Sequence, residues 1–190
     1  SARGGRPQKE RDVLTDDQIT QLLSTIKGLP PYVFVMIGLY AGLRREEILG
    51  LKWDSVYLDG DVPYITVRRA WHTEHNRPVI STELKTKAAH RDIPIPRNLA
   101  DCLREAKSKS TSDYVVANSD NEPLTYTQFK RVWQYIVTRT TKERTYVRYI
   151  NGQRITKTVK PVLGEKAGHN GHVVYSLDFQ VTPHQLRHTY

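Results

Sequence analysis

Apolar residues recur at helical spacing along the first fifty positions of the chain. A capping box at Thr15 and Gln18 precedes such a stripe and predicts a helix that ends near Gly28. A second, almost wholly apolar helix is predicted over residues 31–41. Gly42 closes it, because glycine readily adopts the left-handed conformation of a helix end. A short third helix should follow directly.

The helical period returns in the second half of the chain. It is found over residues 99–106, and again after a capping box at Thr125 and Gln128. We interpret the apolar stripe that follows this second box as core packing rather than as a ligand site. Thr182 and Pro183 are expected to begin a last helix.

Between the helices the pattern is typical of β-strands. Strands are expected at residues 64–69, 78–81 and 90–94. The last of these should lie at a sheet edge, because proline lacks the amide donor that a central strand requires. Residues 173–181 are expected to be extended.

A β-hairpin is predicted near the end of the chain. Residues 145–150 and 153–159 flank Asn151–Gly152, the dipeptide favoured in type I′ turns, and the surrounding sequence is rich in lysine and arginine. The sequence therefore predicts an α+β, mainly helical fold. It should consist of a helical domain with a small antiparallel β-sheet on one side and an additional basic β-hairpin.

The composition indicates one domain. With 190 residues, 38% of them hydrophobic, the chain can bury one well-packed core, which we assign to residues 14–190. Residues 1–13 have the glycines, proline and arginines of a basic linker or tail. The apolar runs are too short for a membrane span, and a single cysteine, Cys102, favours a reducing compartment. We therefore expect a cytoplasmic protein.

The charge of the chain suggests a class of partner. Its formal net charge of +9 attracts a polyanion, and nucleic acid is the commonest one in a cytosol. A merely soluble basic protein is the alternative. The charge does not separate an enzyme from a binding module.

The first of three candidate motifs is Gly-Leu-Arg-Arg-Glu-Glu at residues 42–47. An arginine between the end of one helix and the start of the next can be held rigidly beside backbone amides. Arg44 is the candidate and Arg45 its alternative. A purely structural ion pair between Arg44 and Glu47 explains the motif equally well.

The other two motifs also contain cationic side chains. Lys85 is expected at the tip of a hairpin between two strands, where a lysine is normally a solvated charge, and Lys87 is its alternative. His184 and Arg187 are spaced so that they share one helix face. An imidazole and a guanidinium together make a suitable phosphate-binding pair.

Taken together and in this order, the three motifs resemble those of the tyrosine recombinase family, which includes phage-type integrases. The matches are Gly-Leu-Arg-x-x-Glu at residues 42–47, Lys-Thr before a proline-ended strand at residues 85–94, and His-x-Leu-Arg-His-Thr at residues 184–189. The resemblance covers roughly residues 14–190. It favours a functional Lys85 over a solvated one.

The resemblance implies an enzyme of DNA integration and recombination that cuts and rejoins double-stranded DNA through a 3′-phosphotyrosine, with no metal or other cofactor. By motif match, Arg44 and Arg187 stabilise the pentacoordinate phosphate, and Lys85 protonates the departing 5′-oxygen. His184 matches the histidine that hydrogen-bonds the phosphate or accepts the tyrosine proton. Glu47 is expected to support these residues.

The resemblance also indicates what the chain lacks. The family's nucleophilic tyrosine lies some tens of residues beyond His-x-x-Arg, whereas Tyr190 falls on an aromatic position that we expect to pack in the core. We therefore expect a catalytic domain that is incomplete at its C-terminus, lacks the N-terminal core-binding domain and is inactive alone. For the full-length protein the family implies a bacterial or phage-encoded recombinase that assembles as a tetramer on DNA.

The sequence leaves alternatives open for the function, the DNA contacts and a metal site. A noncatalytic DNA-binding module explains the charge but not the motif order, and a type IB topoisomerase shares the chemistry but not the spacings. Lys87, Arg148, Arg154 and Lys157 are candidate DNA contacts, although the hairpin could equally face a neighbouring protomer or solvent. His-Asn-Gly-His at residues 169–172 is a weak zinc candidate, because no cysteine pair accompanies it.

Overall fold

The computed structural model describes residues 13–82, 90–140, 143–159, 165–169 and 172–190, and for residues 140, 144, 146, 148, 150 and 159 it describes the backbone only. The helices in these ranges are α1 (Asp16–Ile26), α2 (Tyr32–Ala41), α3 (Arg45–Leu49), α4 (Arg97–Lys109), α5 (Tyr126–Val137) and α6 (Pro183–Thr189). The strands are β1 (Val56–Tyr57), β2 (Tyr64–Val67), β3 (Ala70–Glu74), β4 (Arg77–Ser81), β5 (Arg91–Pro94), β6 (Thr138–Thr140), β7 (Arg144–Ile150), β8 (Gln153–Val159) and β9 (Val173–Tyr175). The fold is α+β, as predicted.

Helices α1 and α5 begin with the predicted capping boxes. The Thr15 hydroxyl accepts a hydrogen bond from the Gln18 amide at 3.2 Å, and the Gln18 side chain accepts one from the Thr15 amide at 3.0 Å. Thr125 and Gln128 repeat this exchange at 3.1 and 2.9 Å. Each box satisfies two amides that a helix start leaves unpaired. Helix α6 begins with a third such box, which the sequence analysis did not identify.

Helix α2 is the centre of the core. Seven of its ten residues are buried, and it contacts α1, α3, α4 and α6. Phe34 of α2 meets Phe129 and Trp133 of α5 with ring centres 5.3 and 5.8 Å apart, respectively. Burying side chains of this size contributes roughly 1.5–3 kcal/mol each. The apolar stripe of α5 is therefore core, as interpreted from the sequence, except at its last member, Val137, which is 39% exposed.

Helix α6 packs closely against α2 at a glycine. A β-carbon added to Gly38 would lie 3.0 Å from Cβ of Leu186, which is fully buried. The absence of a side chain at Gly38 lets the two helices approach. At the start of α1, the Leu14 amide donates a hydrogen bond to the Thr189 hydroxyl at 3.1 Å. These contacts fix α6 against both α2 and the entry to α1.

The strands form small antiparallel sheets. Strand β2 lies between β1 and β5, with Ile65 opposite Val56 on one side and opposite Ile93 on the other. Among the described strands, β5 is therefore at a sheet edge, as its prolines predicted. The predicted strand at 64–69 ends at Val67, and the extended stretch at 173–181 is a strand only over Val173–Tyr175, where it pairs with β6.

The predicted hairpin around Lys85 is wrong in its pairing. Within the part of the chain that the structure describes, β4 pairs with β3 and β5 pairs with β2. Strand β3 was missed because its turn is formed by His75 and Asn76, rather than by Asn-Gly or Asp-Gly. Both residues have positive φ angles, of 50° and 63°, a conformation that asparagine and histidine adopt more readily than most residues.

Strands β7 and β8 form the predicted basic hairpin. Asn151 and Gly152 have φ angles of 51° and 77°, as a type I′ turn requires.

No helix in the described ranges combines the length and the apolar character needed to cross a membrane.

Candidate active site

Two segments from opposite ends of the sequence meet at one pocket. The corner between α2 and α3 forms one wall, and the first turns of α6 form the other. The cavity measures about 210 Å³, enough for a phosphate group together with some water. It is lined by Arg44, Arg45, Glu46, Pro183, His184 and Arg187.

The corner that carries Arg44 is fixed by its neighbours. Gly42 ends α2 in the left-handed conformation, with φ of 65°, and Leu43 is buried. Arg44 then adopts an extended backbone, with φ of −70° and ψ of 154°, and its side chain is exposed at the pocket. The buried leucine and the left-handed glycine therefore determine where the guanidinium is presented.

Glu47 stabilises this corner from a buried position. It is 5% exposed, and its carboxylate accepts a hydrogen bond from the Arg44 amide at 2.9 Å. It also accepts two hydrogen bonds from the Arg91 guanidinium, at 2.7 and 2.9 Å. The Arg44–Glu47 ion pair considered from the sequence is therefore wrong. Glu47 pairs with Arg91 and reaches Arg44 through its backbone.

The environment of Glu47 keeps it ionised. Burial by itself would raise the pKa of Glu47, but the Arg91 and Arg44 hydrogen bonds and the charges of both arginines lower it below the ordinary value. A buried carboxylate that has a bidentate arginine partner is costly to disturb. The pair thus ties the first residue of β5 to the corner that holds Arg44.

Helix α6 positions the second group of side chains. Leu186 is buried against α2, which turns His184 and Arg187 toward the Arg44 corner. The Thr189 hydroxyl accepts from Leu14 and donates to the carbonyl of Gln185 at 2.6 Å. The predicted shared face of His184 and Arg187 therefore lies at the pocket.

Lys85 and Lys87 lie outside the described residues. The strands on either side of their segment are described. Strand β4 ends at Ser81, and β5 begins at Arg91, whose guanidinium is bound to Glu47 beside the pocket. Arg44, His184 and Arg187 are therefore the predicted catalytic residues that the described part of the chain brings together.

Two further pocket residues were not assigned from the sequence. Arg45 entered only as an alternative to Arg44, and Glu46 was not considered. Charged residues next to Arg44 gave no signal of their own, because a motif does not show which side chains face inward. Their positions depend on aromatic residues far away in the sequence.

Tyr190 departs from its predicted core position. Its ring lies against Gly42, where an added β-carbon would be 2.4 Å from Cδ1, but the residue is 65% exposed. The missing side chain at Gly42 leaves room for the ring at the surface. Tyr190 therefore packs, as expected, but on the outside of the domain.

The hairpin divides its basic residues between two faces. Lys157 places its ammonium 5.7 Å from the centre of the Tyr135 ring in α5. Arg154 lies opposite Tyr149, and both are exposed. The backbone of Arg148 lies opposite that of Ile155. Neighbouring residues of a strand point to opposite faces, so Arg154 and Lys157 face different ways.

The described residues contain no group of three or more histidine, cysteine, aspartate or glutamate side chains placed to hold a metal ion. The segment at residues 169–172 is described only in part. The side chains that line the pocket in the described ranges include guanidinium, imidazole and carboxylate groups.

Comparison with known proteins gives consistent matches. The model of the phage integrase family matches residues 12–190. A tyrosine recombinase XerC-like protein of Caldanaerobacter subterraneus subsp. tengcongensis is 27% identical over 120 residues, which cover 59% of this chain and 30% of that protein. An integrase of Streptomyces ambofaciens is 27% identical over 106 residues, which cover 52% of this chain and 26% of that protein.

Solved structures of the Tn1549 transposon integrase have a similar fold. The complex with transposon right end DNA has a TM-score of 0.59 at 18% identity and covers 96% of this chain and 52% of that one. A complex with circular intermediate DNA has a TM-score of 0.61 at 19% identity and covers 96% of this chain and 54% of that one. The chain thus spans about half of these structures and less than a third of the curated relatives.

Proposed function

The chain belongs to the phage integrase family, and on that premise we propose that it is the phosphate-binding part of a tyrosine recombinase, which cuts and rejoins double-stranded DNA at specific sites. The observation that supports this function is the convergence of Arg44, His184 and Arg187 on one pocket. In this proposal residues 14–190 form the catalytic domain, and residues 1–13 link it to a preceding DNA-binding domain.

The pocket suits phosphoryl transfer because negative charge develops on the nonbridging oxygens of the phosphorus. Two guanidinium groups from separate elements can bind those oxygens in fixed directions. Losing one such preorganised donor typically raises a barrier by about 2.7–4 kcal/mol. We assign this role to Arg44 and Arg187, with Glu47 holding the Arg44 backbone in place.

Proton transfer completes the proposed reaction. A tyrosine oxygen attacks the phosphorus, the bond to the 5′-oxygen breaks, and Lys85 donates a proton to the leaving oxygen. His184 takes the proton that the tyrosine loses, or it hydrogen-bonds the phosphate while that proton passes to water. Reversal of these steps with a 5′-hydroxyl from a partner duplex rejoins the strand. The bond energy is kept in the phosphotyrosine, so the reaction requires no ATP.

We assign the nucleophile to a residue outside this chain. No tyrosine is among the described residues that line the pocket, and Tyr190 lies on Gly42 instead. The chain alone should then bind DNA without cutting it. We propose that the full-length recombinase acts in the bacterial cytoplasm and assembles as a tetramer on DNA.

DNA binding by the 190-residue chain tests the pocket directly. Fluorescence anisotropy with a labelled duplex, measured over a range of salt concentrations, gives both affinity and the number of phosphate contacts. Arg44→Gln and Arg187→Gln should each weaken binding and flatten the slope of log K against log salt by about 0.9. Arg97→Gln is the matched control, because it removes the same charge outside the pocket, from a side chain that is 93% exposed at the start of α4. Pocket variants that behave like this control would refute the proposal.

Catalysis is tested in the longer protein that contains this chain. Single-turnover cleavage of a suicide DNA substrate should fall about 100- to 1000-fold in Arg44→Ala and Arg187→Ala. Weakened binding in the short chain with unchanged cleavage in the long one would instead indicate a noncatalytic DNA-binding module.

A further inference from the structure

Arg45 is held firmly at the wall of the pocket. Its guanidinium carbon lies 5.9 Å from the centre of the Trp71 ring and 5.7 Å from that of Phe129. Both rings are buried, and the Trp71 indole is fixed by a 2.8 Å hydrogen bond to the carbonyl of Leu124. Aromatic faces attract a guanidinium and restrict its motion. Arg45 is therefore presented to the pocket in a preorganised position.

Glu46 occupies one hydrogen-bonding edge of this guanidinium, formed by Nε and Nη2. One of its carboxylate oxygens accepts from Nε of Arg45 at 3.2 Å and from Nη2 at 2.8 Å. The side chains of Arg45 and Glu46 are 33% and 41% exposed, respectively, so the Glu46 carboxylate can leave Arg45 and turn into solvent. A carboxylate thus lines a pocket that is otherwise suited to an anion. An approaching phosphate would be repelled by Glu46 and attracted by Arg45.

We propose that Arg45 is a third DNA-phosphate ligand and that Glu46 acts as its temporary partner in the DNA-free protein. This inference rests on the proposed function. We assign the phosphate that is cut to Arg44 and Arg187, and we assign Arg45, on the same wall of the pocket, to the backbone phosphate beside it in the same strand. When DNA enters, the Arg45 guanidinium exchanges the Glu46 carboxylate for this phosphate, and Glu46 moves into water.

The exchange has a consequence for selectivity. While Glu46 neutralises Arg45, part of the pocket's positive charge is unavailable to any passing polyanion. A phosphate gains the Nε–Nη2 edge of Arg45 only when the DNA backbone is seated deeply enough to displace the carboxylate. Glu46 therefore weakens loose contacts more than seated ones, which makes it a specificity-determining residue.

A double-mutant cycle in the 190-residue chain tests this exchange. Arg45→Gln should weaken binding to a labelled duplex at least fivefold and flatten the salt slope by about 0.9. Glu46→Gln should tighten binding about three- to tenfold. In the Arg45→Gln background the same substitution should tighten binding less than twofold, because only the direct repulsion between a partly exposed carboxylate and the phosphate remains.

The pair formed by Asp101 and Arg104 on α4 provides the matched control. Its 2.9 Å ion pair has the same charges as that of Arg45 and Glu46 and lies outside the pocket. Asp101→Asn and Arg104→Gln report what one charge change does to DNA binding in general. Their effects should be below twofold, with an unchanged salt slope.

The possible outcomes separate this inference from the proposed function. If Arg44→Gln and Arg187→Gln flatten the salt slope and Arg45→Gln does not, only the role of Arg45 is overturned, and its guanidinium merely packs against the rings. If none of the three does, the proposed function fails as well. Should Arg45→Gln prove unfolded by circular dichroism, Glu46→Gln alone decides, and binding no tighter than that of Asp101→Asn refutes the exchange.

Discussion

Replacing Gly42 by alanine tests how the contact with Tyr190 holds α6 against the corner that carries Arg44. Gly42 has a φ angle of 65°, and an alanine β-carbon there would lie 2.4 Å from Cδ1 and 2.7 Å from Cγ of Tyr190. The substitution therefore meets two obstacles, the left-handed backbone and the tyrosine ring. Gly28 is the matched control, because its φ angle is 75° and nothing lies within 4 Å of its absent β-carbon.

The two costs can be worked out separately. A left-handed alanine costs roughly 1–2 kcal/mol, and the reduced freedom of the unfolded chain offsets about 0.4–1 kcal/mol of this. Gly28→Ala should therefore destabilise the fold by about 1 kcal/mol. Relieving an overpacked contact costs about 1–3 kcal/mol. Tyr190 is 65% exposed and its ring can move, so the lower figure applies. Gly42→Ala should then cost about 2 kcal/mol.

Thermal unfolding followed by circular dichroism measures the difference. A domain of this size loses about 3 °C in Tm for each kcal/mol, so we expect a fall of about 6 °C for Gly42→Ala and about 3 °C for Gly28→Ala. Combining Gly42→Ala with Tyr190→Ala should remove the extra cost, because the ring is then absent. DNA affinity should fall in Gly42→Ala only, since Tyr190 belongs to the segment that carries Arg187.

Equal melting temperatures for the two glycine variants would refute this reasoning. So would an extra cost at Gly42 that persists when Tyr190 is alanine. Either result would mean that the ring does not restrain α6, and that its docking depends on other contacts, among them those of Leu186 with Gly38 and of Thr189 with Leu14.

The bidentate hydrogen bonds from Arg69 lower the pKa of Asp54 from 3.8 to about 2. The resulting stabilisation is complete above about pH 4 and disappears as the pH falls through about 2, so Asp54→Asn should remove this pH dependence from urea unfolding measured between pH 2 and 5. In the hairpin, Arg154→Gln should flatten the salt dependence of DNA binding and Lys157→Gln should not, because Lys157 is held against the Tyr135 ring, and equal salt slopes would mean that the Arg154 face makes no phosphate contact of its own. Incubation of the chain with a suicide DNA substrate should give no covalent product, and a shifted band on a denaturing gel would show that one of its tyrosines reacts.

Local signals in the sequence predicted local structure well. The boxes at Thr15 and Thr125 and the Asn151–Gly152 turn each depend on a few adjacent residues whose side chains or φ angles determine the backbone. The motif residues Arg44 and Arg187 were found in the same way, by short patterns. The family resemblance, rather than any periodicity, indicated that these two residues belong to one site.

Contacts between distant residues could not be predicted in this way. Glu47 has several arginines within reach of a plausible fold, and nothing in the sequence distinguishes Arg91 from the others. The placement of Arg45 between Trp71 and Phe129 likewise depends on how β3 and α5 are packed. Strand β3 itself was hidden by an unusual turn. Such pairings are decided by tertiary structure, which the pattern of single residues does not contain.

The docking of α6 on α2 also determines when the pocket can exist. Arg44 is synthesised well before His184 and Arg187, which are among the last described residues to leave the ribosome. A nascent chain whose α6 has not yet emerged has only the Arg44 side of the proposed phosphate site. If the proposed function is right, DNA binding through this pocket begins only when the seven-residue helix α6 packs beside Gly38.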